Sequence, residues 1–362
     1  MAEPKSPAEW RVMGETVPGA SHLRAGIPNQ DSILQVRESG RGLPVVVSVS
    51  DGHGSDKCFR SDRGSGFAVQ EAARLVGEFL DESRGRADHT ELESRAKDYL
   101  PREFVRRWRE AVEADIKARP FTGAELEAVE KRDGLRALKL VASNPLLAYG
   151  ATSLTVAVEE SFILYLQLGD GEILNVSATG EVGRALPEDE RLFANETTSL
   201  CTPDAEGNFR VRLQPLAGEP PALILLSTDG YVNSFSDSAG FFKVGSDLLE
   251  MLRADGFDPV NASLKGWLEE ATRSGSGDDC TLGLICRMDA LSRTDGGPKA
   301  ESPETIAAQV AAAATTNVEG AASSAGTPPS AHQPADASTP TQEAAVTAQP
   351  SERTTDPGDK GA

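Results

Sequence analysis

The chain has 362 residues, and its 56 acidic side chains outnumber its 36 basic ones, so the formal net charge is −20. This charge repels nucleic-acid phosphates and anionic lipid, so we expect no nucleic-acid partner and no membrane partner. The four cysteines contain no C-x-x-C pair, which excludes a zinc ribbon and a thioredoxin-type redox site; they are Cys58, Cys201, Cys280 and Cys286.

The chain also lacks targeting signals. Its first residues contain no apolar signal-peptide core, and no stretch reaches the ~20 apolar residues of a membrane span. We therefore expect a cytoplasmic protein with reduced thiols.

Eight segments rich in β-branched and apolar residues, bounded by turn residues, predict strands. In chain order they are 11–17, 31–36, 43–50, 152–160, 162–169, 172–177, 222–228 and 280–287. Apolar residues that share one face predict helices over 67–80, 102–118, 247–256 and 261–272. Strand pairs joined by short turns favour antiparallel sheets, and separate helical blocks favour an α+β class with stacked sheets and flanking helices.

The end of the chain differs from the rest in composition. Every Phe, Tyr and Trp lies at or before Trp267, and the last part is rich in Ala, Thr, Ser and Pro. Such a segment cannot bury enough surface to offset the entropy of ordering. We therefore predict a domain over 8–289, with a charged helical insert at about 81–148, and a disordered tail over 290–362.

Aspartates stand at the ends of the predicted strands. They are Asp31, Asp51, Asp170, Asp229, Asp278 and Asp279. If the strands stack as two sheets, these ends can converge on one rim, where carboxylates repel one another unless a cation neutralises them. Oxygen-only ligands select Mg²⁺, Mn²⁺ or Ca²⁺ over zinc, and two such ions ~3.5–4 Å apart form a hydrolytic site.

Each aspartate also has a simpler interpretation. Asp-Gly is a common tight-turn dipeptide, which is an alternative role for Asp170 and for Asp229. Asp31 is equally explained as a cap, and Asp278-Asp279 as a solvated loop pair. Asp51 is a sharper signal, because His53 and a second glycine follow it and no simple turn requires them. A histidine there can donate a proton near neutral pH.

The motifs NQD, VVVSVSDGHG, YGATS, LGDGEI, LLSTDGY and GDDCTL, in this order over about residues 10–288, resemble those of the metal-dependent serine/threonine protein phosphatases of type 2C. The stretches SHLRAGIPNQDS, FRSDRGS and NETTSLC resemble a bacterial branch of that family. The resemblance implies a four-layer αββα sandwich, with two antiparallel sheets between helical layers and a dinuclear Mg²⁺ or Mn²⁺ site at one edge.

The resemblance also implies roles for the metal ligands. By position, Asp51 matches the carboxylate that bridges the two metals, and the Gly52 carbonyl matches a backbone ligand of one of them. Asp229 and Asp278 match the remaining ligands of the other metal. Asp170 matches the aspartate that can hold a weaker third metal in the family.

Three further matches concern the first motif, the leaving group and the strand packing. Asp31 matches the second acidic residue of the first motif. His53 matches the histidine proposed as general acid for the departing serine or threonine oxygen. Gly150-Ala151-Thr152 matches a motif in which the family uses small residues for close strand packing.

The chain departs from the family pattern in three places. Gln30 replaces the usual glutamate, which removes a negative ligand, and Asp279 replaces the usual asparagine. Gly26 stands where the family often has a phosphate-binding arginine. Four basic residues are possible substitutes for that arginine: Arg24, His22, Arg60 and Arg63. The arginines after the DGHG motif are equally explained as solvated residues beside a helix start.

These features together predict phosphomonoester hydrolysis, in which a water that bridges two metals attacks phosphorus and His53 protonates the leaving group. The resemblance implies that the substrates are proteins phosphorylated by a Ser/Thr kinase. The insert 81–148 and the loop 178–221 are candidates for substrate selection.

Three other functions compete with this prediction. One is a pseudophosphatase of the same fold, which Gln30 and the missing arginine favour and the retained Asp51 and His53 oppose. The second is a small-molecule phosphatase. The third, a Ca²⁺-binding structural protein, lacks an EF-hand-like D-x-D-x-D-G run.

Overall fold

The computed structural model describes residues 9–37, 42–86, 88–187 and 198–291. Within these ranges, ten strands form two five-stranded sheets in which each hydrogen-bonded pair is antiparallel. The described residues all belong to one compact unit. The tail predicted over 290–362 starts two residues too early, because Ala290 and Leu291 belong to a short helix, Met288–Leu291, and Leu291 is buried in the core. From residue 292 onwards, the predicted tail lies outside the described residues.

The first sheet contains five strands: β1 (Trp10–Val17), β6 (Glu172–Val176), β7 (Val182–Arg184), β9 (Leu223–Ser227) and β10 (Cys280–Arg287). Their order across the sheet is β1-β10-β9-β6-β7. The second sheet contains β2 (Ser32–Arg37), β3 (Val45–Ser50), β4 (Ser153–Val158), β5 (Phe162–Leu168) and β8 (Arg210–Pro215). Their order is β2-β3-β4-β5-β8.

Helices cover the outer faces of both sheets. The helices are α1 (Ala20–Ala25), α2 (Ser61–Ser83), α3 (His89–Ala118), α4 (Gly123–Ser143), α5 (Asp229–Val232), α6 (Ser238–Asp255), α7 (Phe257–Ser274) and α8 (Met288–Leu291). Helices α2 and α3 pack on the second sheet, and α6 and α7 pack on the first. None of the described helices is long and apolar enough to cross a membrane.

A separate apolar core lies between the two sheets. Val47 and Val156 of the second sheet pack in this core with Ile224 and Ile285 of the first. Because each sheet is covered on both faces, β3, β4, β5, β9 and β10 are buried along their whole length. The predicted four-layer αββα sandwich is confirmed.

The sequence analysis missed two strands and much of the helical structure. Strand β7 has only three residues, and β8 (RVRLQP) is a half-buried edge strand whose charged residues hide the strand pattern. Helix α2 begins at Ser61, six residues before the predicted start, in the polar sequence SDRGS. The insert 81–148 contains the end of α2, α3 and α4.

The strand register brings the predicted motifs to one edge of the sandwich. Four opposed pairs define this edge: Ser32 with Ser50, Ser153 with Leu168, Glu172 with Ser227 and Val17 with Cys280. The Gly169–Gly171 turn crosses here from the second sheet to the first. The segments that carry the predicted aspartates therefore meet at this edge.

Candidate active site

Five aspartates at this edge are close enough for their charges to interact. They are Asp31, Asp51, Asp170, Asp229 and Asp278. Burial raises the pKa of Asp51 well above its usual range, and the charges of Asp31 and Asp229 raise it further. Burial and the carboxylates of Asp170 and Asp278 also raise the pKa of Asp229. Because several buried carboxylates cannot all stay ionised side by side, this cluster favours binding of a cation.

Asp51 is positioned by the pairing of β3 with β4. Its main-chain nitrogen donates to Thr152 Oγ1 at 3.0 Å, and its carbonyl oxygen accepts from the Thr152 nitrogen at 2.8 Å. Both strands are buried along their whole length. These two hydrogen bonds therefore fix the backbone of Asp51 directly after β3.

Asp31 links the start of β2 to the first sheet. Its side chain accepts hydrogen bonds at Oδ2 from Thr228 Oγ1 at 2.8 Å and from Thr281 Oγ1 at 2.7 Å. Burial raises the pKa of Asp31 well above its usual range, and the two hydroxyl bonds oppose this. Thr228 directly precedes Asp229, so the hydrogen bond from Thr228 to Asp31 also fixes Asp31 beside the segment that carries the Asp229 carboxylate.

The Asp278-Asp279 pair divides into one exposed and one buried carboxylate. The Asp278 side chain is 54% exposed, whereas that of Asp279 is 3% exposed. Asp279 accepts from the Gly19 nitrogen at 2.6 Å and from the Gln30 nitrogen at 2.7 Å. Asp279 therefore anchors the early motif, and Asp278 remains as the accessible carboxylate beside Asp229.

Gly52 lies where three segments meet. A Cβ atom there would lie 2.6 Å from the main-chain oxygens of both Gln30 and Ser61, so only glycine fits. Gln30 Nε2 donates to Ser61 Oγ at 2.6 Å, whereas Gln30 Oε1 is buried and has no hydrogen-bond donor in the described part of the chain. An unpaired buried amide oxygen is costly, and a hard cation is a suitable partner for it. The oxygen-only donor set fits Mg²⁺ or Mn²⁺.

His53 lies beside the carboxylate cluster and packs on a glycine. Its main-chain nitrogen donates to the Gly150 oxygen at 3.0 Å. A Cβ on Gly150 would lie 2.6 Å from His53 Cδ2, so any larger residue would displace the imidazole ring. Burial lowers the pKa of His53, and the charge of Asp170 opposes this shift.

The sequence model of the protein phosphatase 2C family matches residues 18–269 of this chain. The chain belongs to the protein phosphatase 2C family. Membership of this family supports a protein phosphatase activity, and the matched region includes the site up to Asp229. No curated protein sequence matches the chain.

Solved structures of bacterial phosphatases are similar to this chain. A bacterial serine phosphatase is 14% identical, with a TM-score of 0.47 over 77% of this chain and 98% of the other. The serine/threonine phosphatase Stp1 from Staphylococcus aureus is 13% identical, with a TM-score of 0.46 over 79% of this chain and 99% of the other. The catalytic domain of the serine/threonine phosphatase PstP, in complex with two manganese ions, is 16% identical, with a TM-score of 0.44 over 77% and 98%.

The side chain of Arg60 is engaged by other residues and does not fill the predicted role of a phosphate contact. Its Nε and Nη2 donate to the Glu125 carboxylate at 2.7 and 3.0 Å, and its Nη1 donates to Tyr149 Oη at 2.9 Å. The carbonyl oxygens of Arg119 and Pro120 accept from the same guanidinium. Because Arg60 is 8% exposed and its donors are used, it holds α4 against the start of α2 in this member of the 2C family.

We expect Arg60→Ala to destabilise the protein by about 2–4 kcal/mol, because it leaves Glu125 without its buried partner. The measurement is urea unfolding. The control is Arg74→Ala, which removes an exposed pair with Glu71 and is expected to cost less than about 1 kcal/mol. Equal stability of the two variants would contradict the structural role of Arg60.

The other residues proposed as phosphate contacts have different surroundings. Arg24 is exposed on α1 and forms no hydrogen bond or ion pair with the described residues. Arg63 is bonded to the buried carboxylate of Asp115. His22 lies between the carboxylates of Asp278 and Asp279. Of the four residues proposed as phosphate contacts, Arg24 is the one whose side chain has no partner among the described residues. It is therefore the one available to bind a phosphate.

Three threonines hold the site together, although the sequence assigned only strand packing to Thr152 and no role to the other two. They are Thr152, Thr228 and Thr281, whose hydroxyls bond to the backbone of Asp51 or to the carboxylate of Asp31. Each lies at or beside the end of a buried strand. An adjacent aspartate was an available signal for Thr228 alone, which directly precedes Asp229.

Proposed function

We propose that this protein is a metal-dependent phosphomonoester hydrolase that dephosphorylates phosphoserine and phosphothreonine in proteins. The observation that carries the proposal is the cluster of buried carboxylates with raised pKa values, beside His53, in a chain of the protein phosphatase 2C family. The alternative is a pseudophosphatase that only binds phosphoproteins. It is favoured by Gln30 and by Gly26, which stands in open space where the family often has a phosphate-binding arginine.

Asp51, with Asp229 and Asp278 on one side and the Gly52 carbonyl on the other, would hold two divalent cations, Mg²⁺ or Mn²⁺. Asp170 would hold a weaker third. When bound, these cations supply Lewis acidity for the phosphoryl oxygens and an acidified water as nucleophile. Asp31 supports this set through its bonds to Thr228 and Thr281.

His53 would give its proton to the departing serine or threonine oxygen. Gly150 packs against one side of its ring. Burial lowers the pKa of His53, and the Asp170 charge partly offsets this by favouring the protonated form. A positioned acid of this kind contributes about 10²–10⁴-fold to a rate. The described cysteines are buried, and their pKa values are raised by burial, so none is suited to act as a nucleophile.

The helical insert at about 81–148 would contribute to substrate selection. Its helix α4 contacts the segment that follows His53, because Arg132 donates to Asp56 at 2.7 Å and the Lys57 nitrogen donates to Asp133 at 3.1 Å. A protein substrate that reaches His53 therefore passes close to α4. The loop 178–221 is the second proposed element, and its residues 188–197 lie outside the described ranges.

Gln30→Glu tests whether the neutral amide weakens the metal site. Adding a negative oxygen ligand should raise the affinity for Mn²⁺ about tenfold or more, because carboxylate count sets affinity in such sites. Gln30→Ala, which removes the oxygen, should lower it. The measurement is calorimetric titration of the metal-free proteins. The same affinity in all three proteins would exclude residue 30 from the cation site.

Phosphate release from substrates of different size tests the proposed activity. We expect hydrolysis of a phosphothreonine peptide to exceed that of glycerol phosphate in Mn²⁺ or Mg²⁺, and EDTA to abolish both. Faster hydrolysis of glycerol phosphate would support the small-molecule phosphatase. A protein that binds Mn²⁺ and the peptide but releases no phosphate would be a pseudophosphatase.

Two further proposals concern the domain organisation and the cellular setting. We propose that the phosphatase domain predicted over 8–289 extends to Leu291, because Leu291 is buried in the core, and that the tail begins after it. We also propose that its protein substrates are phosphorylated by a Ser/Thr kinase and that the protein is cytoplasmic.

A further inference from the structure

His22 is held rigidly against the loop that carries Asp278. It lies on α1, where the Ser21 nitrogen donates to the Gly277 oxygen of this loop at 2.9 Å. The Ala20 nitrogen donates at 2.9 Å to Thr272 Oγ1 of α7, which in turn donates to the main-chain oxygen of Asp278 at 2.7 Å. The His22 side chain is only 14% exposed. The imidazole therefore has a fixed position beside the carboxylate cluster.

Each ring nitrogen of His22 faces a different carboxylate. Nδ1 lies 2.9 Å from Asp279 Oδ1, and Nε2 lies 3.5 Å from Asp278 Oδ1. Asp279 is buried and also accepts from two main-chain nitrogens, whereas Asp278 is half exposed. With a cation bound, the buried carboxylate on Nδ1 would keep the proton on that nitrogen and leave the Nε2 lone pair for the cation, on the side of Asp278.

This arrangement is typical of histidines that bind metals. Such histidines donate one ring N–H to a carboxylate, which fixes the tautomer and makes the other nitrogen a better ligand. One ligand atom from each of His22, Asp278 and Asp279 lies within 4.8 Å of the others. Two adjacent ligands of an octahedral ion are ~3 Å apart, so Nε2 and Asp278 Oδ1 need only a small shift to share one cation.

We propose that His22 Nε2 is a ligand of the cation that Asp278 and Asp229 hold, with Asp279 as the positioning carboxylate behind it. The inference rests on the proposed metal site and gives this site a nitrogen donor among its oxygens. Imidazole favours later first-row metals over Mg²⁺. The site therefore discriminates between cations more strongly than an oxygen-only site does.

The deciding experiment is electron spin-echo envelope modulation of the Mn²⁺-loaded protein, which detects a coordinated imidazole nitrogen. We expect a ¹⁴N imidazole coupling in the wild type, its loss in His22→Gln and its retention in His53→Gln, which alters the other histidine near the cluster. Bound Mn²⁺ without this coupling in the wild type would overturn the inference and leave the metal site intact. Protein that binds no Mn²⁺ would overturn the metal site itself.

Metal selectivity gives a second readout that does not depend on activity. His22→Gln should lower the Co²⁺ affinity of the metal-free protein about tenfold, the loss typical of a ligand or its supporting group. The Mg²⁺ affinity should change much less. Equal losses for both ions would mean that His22 only supports the loop, as a charged partner of Asp278 and Asp279. If His22→Gln does not fold, a wild-type coupling that is retained in His53→Gln decides the question.

Discussion

Asp51→Asn is expected to abolish phosphatase activity and to make the metal-free protein more stable. The variant loses a carboxylate that would hold the two proposed cations, so activity should fall at least ~10³-fold, which corresponds to several kcal/mol of transition-state stabilisation. The stability of the metal-free protein should instead increase. The pKa of Asp51 is raised in the folded protein, so the ionised group destabilises the metal-free fold above that pKa.

The pH dependence of stability follows from the same shift. As pH falls through the raised pKa towards the usual 3.8, Asp51 becomes protonated and the repulsion is relieved. The variant should therefore exceed the wild type in melting temperature at pH 7–8, by about 2–4 °C for each kcal/mol of repulsion removed. The difference should narrow at lower pH.

Thermal unfolding in EDTA at several pH values measures this effect. Asp279→Asn is the matched control, because its carboxylate accepts two main-chain hydrogen bonds, and losing its charge should lower the melting temperature. Full activity of Asp51→Asn would contradict the assignment of Asp51 to the metals. A less stable Asp51→Asn protein in EDTA would contradict the repulsion between carboxylates.

His53→Gln is expected to slow hydrolysis in a way that depends on the leaving group. An alkoxide or a phenolate of high basicity needs a proton as it departs, whereas p-nitrophenolate leaves without one. The variant should lose about 10²-fold or more on a phosphothreonine peptide and on phenyl phosphate. Its rate on p-nitrophenyl phosphate should change little.

Steady-state rates on the three substrates, at saturating Mn²⁺, measure this dependence. His89→Gln is the control, since His89 starts α3 and packs against Phe162, which lies at the end of β5 opposite to the turn that carries Asp170. Equal losses of His53→Gln on all three substrates would contradict a role as general acid. Such losses would instead indicate that the imidazole supports the metal site or the phosphate.

Much of the architecture follows from local sequence patterns. The eight predicted strands are all present, because apolar runs such as LPVVVSVS and CTLGLICR have no stable alternative to burial in a covered sheet. The turn signals around Asp51, Asp170 and Asp229 placed those residues at strand ends. Antiparallel pairing then brings the ends to one edge, which is why the cluster could be predicted without coordinates.

The sequence did not determine where individual polar side chains lie. Arg60 was a candidate phosphate contact, but its partner Glu125 is 65 residues away, and only the packing of α4 on the segment before α2 reveals the pair. The different environments of Asp278 and Asp279 depend in the same way on Gly19 and Gln30, about 250 residues earlier. Such contacts arise from tertiary structure and leave no periodic pattern in the sequence.

The most direct test of the account measures bound Mn²⁺ and phosphate release on the same sample, as metal-free protein is titrated in the presence of a phosphothreonine peptide. The account predicts that turnover appears as up to two high-affinity ions bind per chain, with neither binding nor turnover restored in Asp51→Asn. Turnover in EDTA would contradict it. So would two ions bound to the wild type with no phosphate released.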